Sequence, residues 1–294
     1  MAERIGRLLT AMITPFDSDG NVDYPQARRL ALALLDSGSD GIVVAGTTGE
    51  SPSLTREEQT RLFVEIKEAV GDKGDVVAGT GSNSTAEAIK YTEDAQQTGA
   101  DAVLSVVPYY NKPPQEGLYQ HFKAIAEAAA VPQILYNVPG RTGVDMQNDI
   151  TLRLAEIENI VAIKDATNDL DRGRDLIERA PEGFLIYSGE DGTACELMLA
   201  GGKGTISVTA NAAPNLMHRM CQAATSGDTD MARQLNGQLA DLHKAMFVES
   251  NPIPAKWAVG QQGLIGGGIR LPLLPLSAPY HDEVRSAMNN AGVL

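Results

Sequence analysis

Cysteine is nearly missing from this chain. Its 294 residues hold two, Cys195 and Cys221, which form neither a disulfide framework nor a CxxC metal or redox motif. A reducing, cytoplasmic setting is therefore expected. Long apolar runs are missing too: none reaches the roughly 18 to 20 residues that cross a bilayer, and Met1 to Arg7 lack the apolar stretch of a signal peptide. A soluble protein with no membrane partner is expected. Positive charge is in deficit, with 24 Lys and Arg against 38 Asp and Glu and a net charge of -14. No basic block offsets this, which excludes the phosphate backbone of a nucleic acid as an expected partner. The histidines, His121, His218, His243 and His281, show no ligand spacing, so no metal is expected. Nucleotide motifs are also lacking. Gly46-Thr47-Thr48-Gly49-Glu50 has no GK[ST], and Gly79-Thr80-Gly81-Ser82-Asn83-Ser84 has no third dinucleotide glycine.

What is present is a regular alternation. Short β-rich runs recur at Leu8 to Thr14, Gly41 to Val44, Val76 to Gly79, Ala102 to Val106, Gln133 to Tyr136, Ile160 to Lys164, Leu185 to Ser188 and Thr205 to Val208. Helical segments lie between them. Thr55 to Val70 opens on a capping box and carries Leu62, Ile66 and Val70 at helical spacing; Thr85 to Gln97 and Gln115 to Ala129 read similarly. Eight such units predict an α/β fold, a (β/α)8 TIM barrel with a C-terminal helical extension, better than a doubly wound sheet. The barrel is assigned to 1–227 and a helical domain to 228–294, with helices expected at Thr229 to Val248, Pro254 to Gly263 and Pro279 to Ala291. The Gly201-Gly202-Lys203-Gly204 run precedes the eighth strand, which makes it a helix-ending turn on the face opposite the active site.

The run Ile160-Val161-Ala162-Ile163-Lys164 ends a predicted core strand on a lysine. Such a lysine either snorkels to water or is desolvated, and desolvation lowers its pKa and frees the amine as a nucleophile. At an ordinary pKa only about one amine in roughly 2,500 is neutral at pH 7. Alternation predicts Ala162 and Lys164 pointing inward, and Ile163 and Asp165 outward. Tyr136 ends the neighbouring strand and is either an ordinary aromatic or a proton carrier for the lysine. The glycines around Thr47 and Thr48 permit a nest of backbone N–H groups suited to a carboxylate. Arg141 follows Tyr136 in a mouth loop, as a solvated side chain or as a bidentate receptor for a second carboxylate.

Gly46-Thr47-Thr48-Gly49-Glu50, Tyr136-Asn137-Val138-Pro139-Gly140-Arg141-Thr142-Gly143 and Ile163-Lys164-Asp165-Ala166-Thr167 closely resemble the 4-hydroxy-tetrahydrodipicolinate synthase family of pyruvate-dependent class I aldolases. Val107 to Pro113, Gln115 to Phe122 and Asn251 to Trp257 extend the likeness over essentially the whole chain. The resemblance implies that Lys164 forms a Schiff base with pyruvate, that the enamine attacks L-aspartate 4-semialdehyde, and that Tyr136 carries the protons. It implies that Thr47 links Tyr136 to Tyr110 of a neighbouring subunit, within a homotetramer of two tight dimers. Thr48 would hold the pyruvate carboxylate, Gly189 and Ile206 would line its pocket, and Arg141 would take the aldehyde substrate's carboxylate, with no added cofactor. In feedback-inhibited bacterial members, positions matching Ser51, Asn83, Glu87 and Tyr109 bind lysine. Two histidines of that site are replaced here by Arg56 and Gln59, and an extra cation beside the lysine ammonium predicts weak or absent inhibition. The alternatives are a sister aldolase acting on neuraminate or a ketodeoxysugar acid, against which Arg141 argues, and a non-catalytic barrel that binds a keto acid.

Overall fold

A computed structural model describes residues 5–294. In chain order, β1 (Leu8–Ala11) leads to α1 (Tyr24–Asp36), β2 (Gly41–Val44) to α2 (Arg56–Val70), β3 (Asp75–Gly79) to α3 (Thr85–Gln97), and β4 (Ala102–Val106) to α4 (Gln115–Ala128). Then β5 (Gln133–Asn137) leads to a short α5 (Pro139–Thr142) and α6 (Asn148–Ala155), β6 (Ile160–Asp165) to α7 (Leu170–Arg179), β7 (Leu185–Ser188) to α8 (Asp191–Leu199), and β8 (Gly204–Ser207) to α9 (Pro214–Ser226). Each strand pairs in parallel with the next, and β8 returns to β1 through the Leu9–Ile206 register, so the barrel closes.

Local chemistry explains several boundaries. The Thr55 hydroxyl accepts from the Glu58 N–H at 3.2 Å while the Glu58 carboxylate accepts from the Thr55 N–H at 2.9 Å, so the expected capping box starts α2. Leu62, Ile66 and Val70 then turn one face into the core. The first strand is shorter than the apolar run predicted. Past Ala11 the Ile13 N–H donates to the Asn211 side chain, not to a neighbouring strand.

Side-chain alternation divides the core. Leu9, Val43, Val77, Leu104, Ile134, Tyr136, Ala162, Tyr187 and Ile206 pack together inside the barrel, whereas Leu135, Ile163 and Ile186 pack outward with the helices. β6 has one irregularity with a large consequence. Gln133 faces Ile160 but Ile134 faces Ala162, which leaves Val161 as an extra residue, a β-bulge. Without it, Tyr136 would lie beside Ile163. With it, Tyr136 stands beside Lys164.

The remaining helices, α10 (Thr229–Ala245), α11 (Ile253–Gln261) and α12 (His281–Asn290), begin after Gly227, whose φ of +82° ends α9. α10 packs against α9, α8 and α12. No helix among the described residues is long and apolar enough to cross a membrane. The glycine run behaves as expected. Gly201, at φ +111°, follows the end of α8, and Gly204 opens β8 where an added Cβ would lie 1.9 Å from the Arg7 carbonyl oxygen. Gly204→Ala is therefore expected to destabilise the fold by about 1–3 kcal/mol or more, read as a lower denaturant midpoint at unchanged m-value.

Candidate active site

The Lys164 side chain is withdrawn from water. The residue is 5% exposed, and its ammonium lies over the Tyr136 ring, 4.3 Å from the centroid. Register places Tyr136 on one side of it and Tyr187 on the other. Tyr187 donates to the Gly6 carbonyl at 2.8 Å, so its hydroxyl is satisfied at the barrel floor. Gly189 passes so close that a Cβ there would lie 3.0 Å from Lys164 Cε. Burial lowers the lysine pKa to about 8, against the opposing pull of Asp191 and Glu190. About one amine in ten is then neutral at pH 7, some hundreds of times more than for an exposed lysine.

The two acidic neighbours sit in the turn after β7. The Asp191 carboxylate accepts from the Val208 and Thr209 N–H groups at 3.0 and 2.8 Å. Glu190 is pushed above the ordinary carboxylate range, mainly by burial and then by Asp191. Both come from the seventh loop, where composition carries no signal for them. The Tyr136 phenol is pushed up to about 12 by burial, with Arg141 and a hydrogen bond from Thr47 acting the other way. At neutral pH the phenol holds its proton and can donate it.

The loop after β2 passes over the end of β3. Gly79 makes room for it, since a Cβ there would meet the Ala45 carbonyl oxygen at 2.3 Å. Ala45 and Glu50 flank the loop in left-handed conformations, φ +52° and +57°, strain that the surrounding contacts must hold. Among the described residues, no acceptor takes the Thr47 or Thr48 N–H, which leaves the nest expected there open to a carboxylate. The Thr48 hydroxyl accepts from the Asn251 side chain at 3.0 Å, and the Asn251 carbonyl accepts from Arg141 at 3.2 Å. Asn251 is thus a site residue that the barrel pattern alone did not disclose. Glu50 pairs with the buried Lys256 of α11, whose ammonium also donates to the Gly268 carbonyl at 2.9 Å.

A cavity of about 370 Å³ opens at the mouth, lined by Thr47, Tyr136 and Arg141, and it continues to Ser51, Glu87 and Tyr109. Thr47, Thr48, Tyr136, Lys164, Arg141 and Gly189 are thus gathered at one end of the barrel, with Ile206 in the interior below. Two expected residues stand apart. Tyr110 is 89% exposed and does not line the cavity. The Asn83 side chain does not line it either, although its carbonyl accepts from Asn111 at 2.8 Å. Gln59 lines the cavity and donates to the Ser51 carbonyl at 3.1 Å. Arg56 lies outside the cavity. Its guanidinium forks onto Asp94 and lines a separate surface depression, because that carboxylate lies within reach across α3.

A desolvated lysine at the end of a (β/α)8 strand, with a protonated phenol beside it, defines the class I aldolase type of enzyme, in which an amine forms a Schiff base with a keto substrate. The chain belongs to the dihydrodipicolinate synthetase family, whose model matches residues 4–291. It is 55% identical over 285 residues to a 4-hydroxy-tetrahydrodipicolinate synthase of Azoarcus sp., covering 97% of this chain and 98% of the relative. It is similar to the chloride-inhibited dihydrodipicolinate synthase of Acinetobacter baumannii complexed with pyruvate, with a TM-score of 0.97, 51% identity and coverage of 99% and 100%. A lysine-bound enzyme of Cyanidioschyzon merolae matches with a TM-score of 0.96 and 44% identity over 99% of each chain.

With the Lys164 pKa near 8, the free amine is the minor form at neutral pH. The rate of borohydride-trapped adduct formation with pyruvate at subsaturating concentration should rise about tenfold per pH unit below that value and level off above it. A rise that continues without levelling to about pH 10, the range of an ordinary lysine, would contradict the desolvated amine.

Proposed function

We propose that this protein is a 4-hydroxy-tetrahydrodipicolinate synthase, condensing pyruvate with L-aspartate 4-semialdehyde in lysine and diaminopimelate biosynthesis. The observation that carries the reading is the buried Lys164 amine over the Tyr136 ring, at a mouth that also holds Arg141. The neutral amine adds to the pyruvate C2 carbonyl, and loss of water leaves a protonated imine. Removal of a C3 proton gives an enamine. Its C3 attacks the aldehyde carbon, forming a carbon–carbon bond while the aldehyde oxygen takes up a proton. The amine of the second substrate then adds to C2, closes the ring and expels Lys164.

Burial favours the first step by disfavouring the ammonium, but the imine that follows is cationic. The carboxylates of Glu190 and Asp191 lie where they raise the stability of a positive charge at Lys164, which offsets part of its desolvation. Tyr136, protonated at neutral pH, supplies and recovers the protons. Thr48 and the open N–H groups of its loop hold the pyruvate carboxylate, with Gly189 and Ile206 shaping the pocket. Arg141, already tethered to the Asn251 carbonyl, offers its remaining donors to the second carboxylate. No cofactor enters this sequence, because the covalent lysine supplies the electron sink.

Tyr110 points into solvent at φ +74°, which suits a residue given to another copy. A dimer brings Tyr110 of a second copy to Thr47 and completes the proton path, and two dimers form the tetramer. The cavity running on to Ser51, Glu87 and Tyr109 is the place for a lysine effector, with Asn83 beside it, and Arg56 and Gln59 in place of two histidines make inhibition weak or absent.

Lys164→Ala should give no borohydride-trapped pyruvate adduct in intact-mass measurements; an adduct of unchanged yield would overturn the reading. Arg141→Leu should keep the adduct but lose at least about 2 kcal/mol of transition-state binding to the aldehyde, a roughly thirtyfold fall in kcat/KM for that substrate. A matching fall for pyruvate would place Arg141 elsewhere in the mechanism.

A further inference from the structure

The two reactive residues are each followed by a polar side chain that points the other way, out of the barrel. Asn137 follows Tyr136, Asp165 follows Lys164, and the two lie opposite each other in the β5–β6 register. Both are buried, so their polar groups must find partners inside the protein. Asn137 donates to Asp145 at 2.8 Å and accepts from the Met146 N–H at 3.0 Å. The Asp165 carboxylate accepts from the Thr167 N–H and from Arg172 Nε, each at 3.0 Å.

Arg172 joins these contacts into one chain. Its Nη1 donates to the second oxygen of Asp145 at 2.9 Å, and its Nη2 donates to the Met146 carbonyl. The guanidinium side chain is only 12% exposed, and each of its three nitrogens has an acceptor. Asn137, Asp145, Arg172 and Asp165 thus form a chain of contacts whose two ends, Asn137 and Asp165, are paired across the strands. It draws on two different connections, the loop before α6 and the first turn of α7, and it ends on the residue next to each reactive side chain.

The chain of contacts lies where the strand pair needs it. The Val161 bulge interrupts the regular ladder lower in β6, so the pairing at the mouth does not simply continue a regular register from below. A one-residue slip moves a strand by about 3.3 Å and turns its inward side chains outward. A planar guanidinium held at three nitrogens resists such motion better than a single ammonium.

We propose that Arg172 is a positioning residue, which locks β5 to β6 so that the Tyr136 phenol stays in reach of carbon attached to Lys164. The proposal rests on the pyruvate chemistry above. Forming the protonated imine needs chiefly Lys164 and its pocket. Moving a C3 proton needs Tyr136 in register as well, which separates this role from a merely stabilising one.

The test uses the full-length protein and the variants R172M, R172K and D145N. Borohydride trapping with pyruvate reports imine formation, and loss of the pyruvate methyl proton signal in D2O reports C3 proton exchange. In folded R172M and D145N, trapping should stay near wild type while exchange and kcat fall together by about tenfold to a hundredfold, with KM for pyruvate little changed. R172K, keeping the charge without the fork, should recover part of the loss. Exchange in R172M within about twofold of wild type would overturn the proposal, as would a fall in trapping that matches the fall in exchange. If R172M does not fold, the ratio of exchange to trapping in D145N decides by the same criteria. A wild-type protein that forms no pyruvate adduct overturns the proposed function, and the proposal with it; a normal adduct with an unmoved ratio overturns the proposal alone.

Discussion

An ammonium held out of water at the end of β6 is the constraint from which the active end of the barrel follows. Water would hold Lys164 protonated, and a protonated amine has no lone pair for a carbonyl. The surrounding side chains remove the water: Tyr136 covers the amine, Tyr187 fills the space beside it, and Gly189 lets the next loop approach without a side chain of its own. Removing water without limit would also disfavour the cationic imine. Asp191 and Glu190 set that limit, and the balance leaves the amine near 8, between an inert ammonium and an imine too costly to form.

The helices after the barrel complete this arrangement. Asn251, just before α11, reaches both the Thr48 hydroxyl and Arg141, so two candidate carboxylate receptors share one support. Lys256, one turn into α11, pairs with Glu50 at the strained end of the same loop, and Arg270 forks onto Glu58 at the start of α2. A buried pair of this kind is costly to break, because removing one member leaves an uncompensated charge, at about 3–5 kcal/mol. The extension therefore holds the catalytic loop in shape.

Much of this was legible in the residues. Short β-rich runs and helical spacing predicted eight units and the capping box of α2, and they failed mainly at ends. The β1 ladder gives out after Met12, whose N–H still donates to the Val43 carbonyl, because Ile13 bonds instead to Asn211, which lies far away in sequence. α10 ends at Ala245 rather than at Val248. Lys164, Tyr136, Thr48 and Arg141 stood out because each combines a chemically demanding side chain with a strand end or a glycine-rich turn. No role stood out for Arg172, or for Asn251 and Lys256 within the matching Asn251 to Trp257 segment, since their roles depend on what lies opposite them in space. Arg56 belongs with them, since its pairing with Asp94 on the next helix appears only in the folded chain.

By itself, the sequence determined the local terms: which runs bury an apolar face, where helices start, and that a lysine ends a strand too apolar to leave its ammonium well solvated. These follow from neighbours a few residues apart. Only the tertiary structure decided that Tyr136 stands beside Lys164, because one bulged residue at Val161 sets that register. It also decided how far the lysine pKa falls and which loops carry the counter-charges. Desolvation and Coulomb energies depend on distances through the folded molecule, and those distances exist only once the barrel has closed.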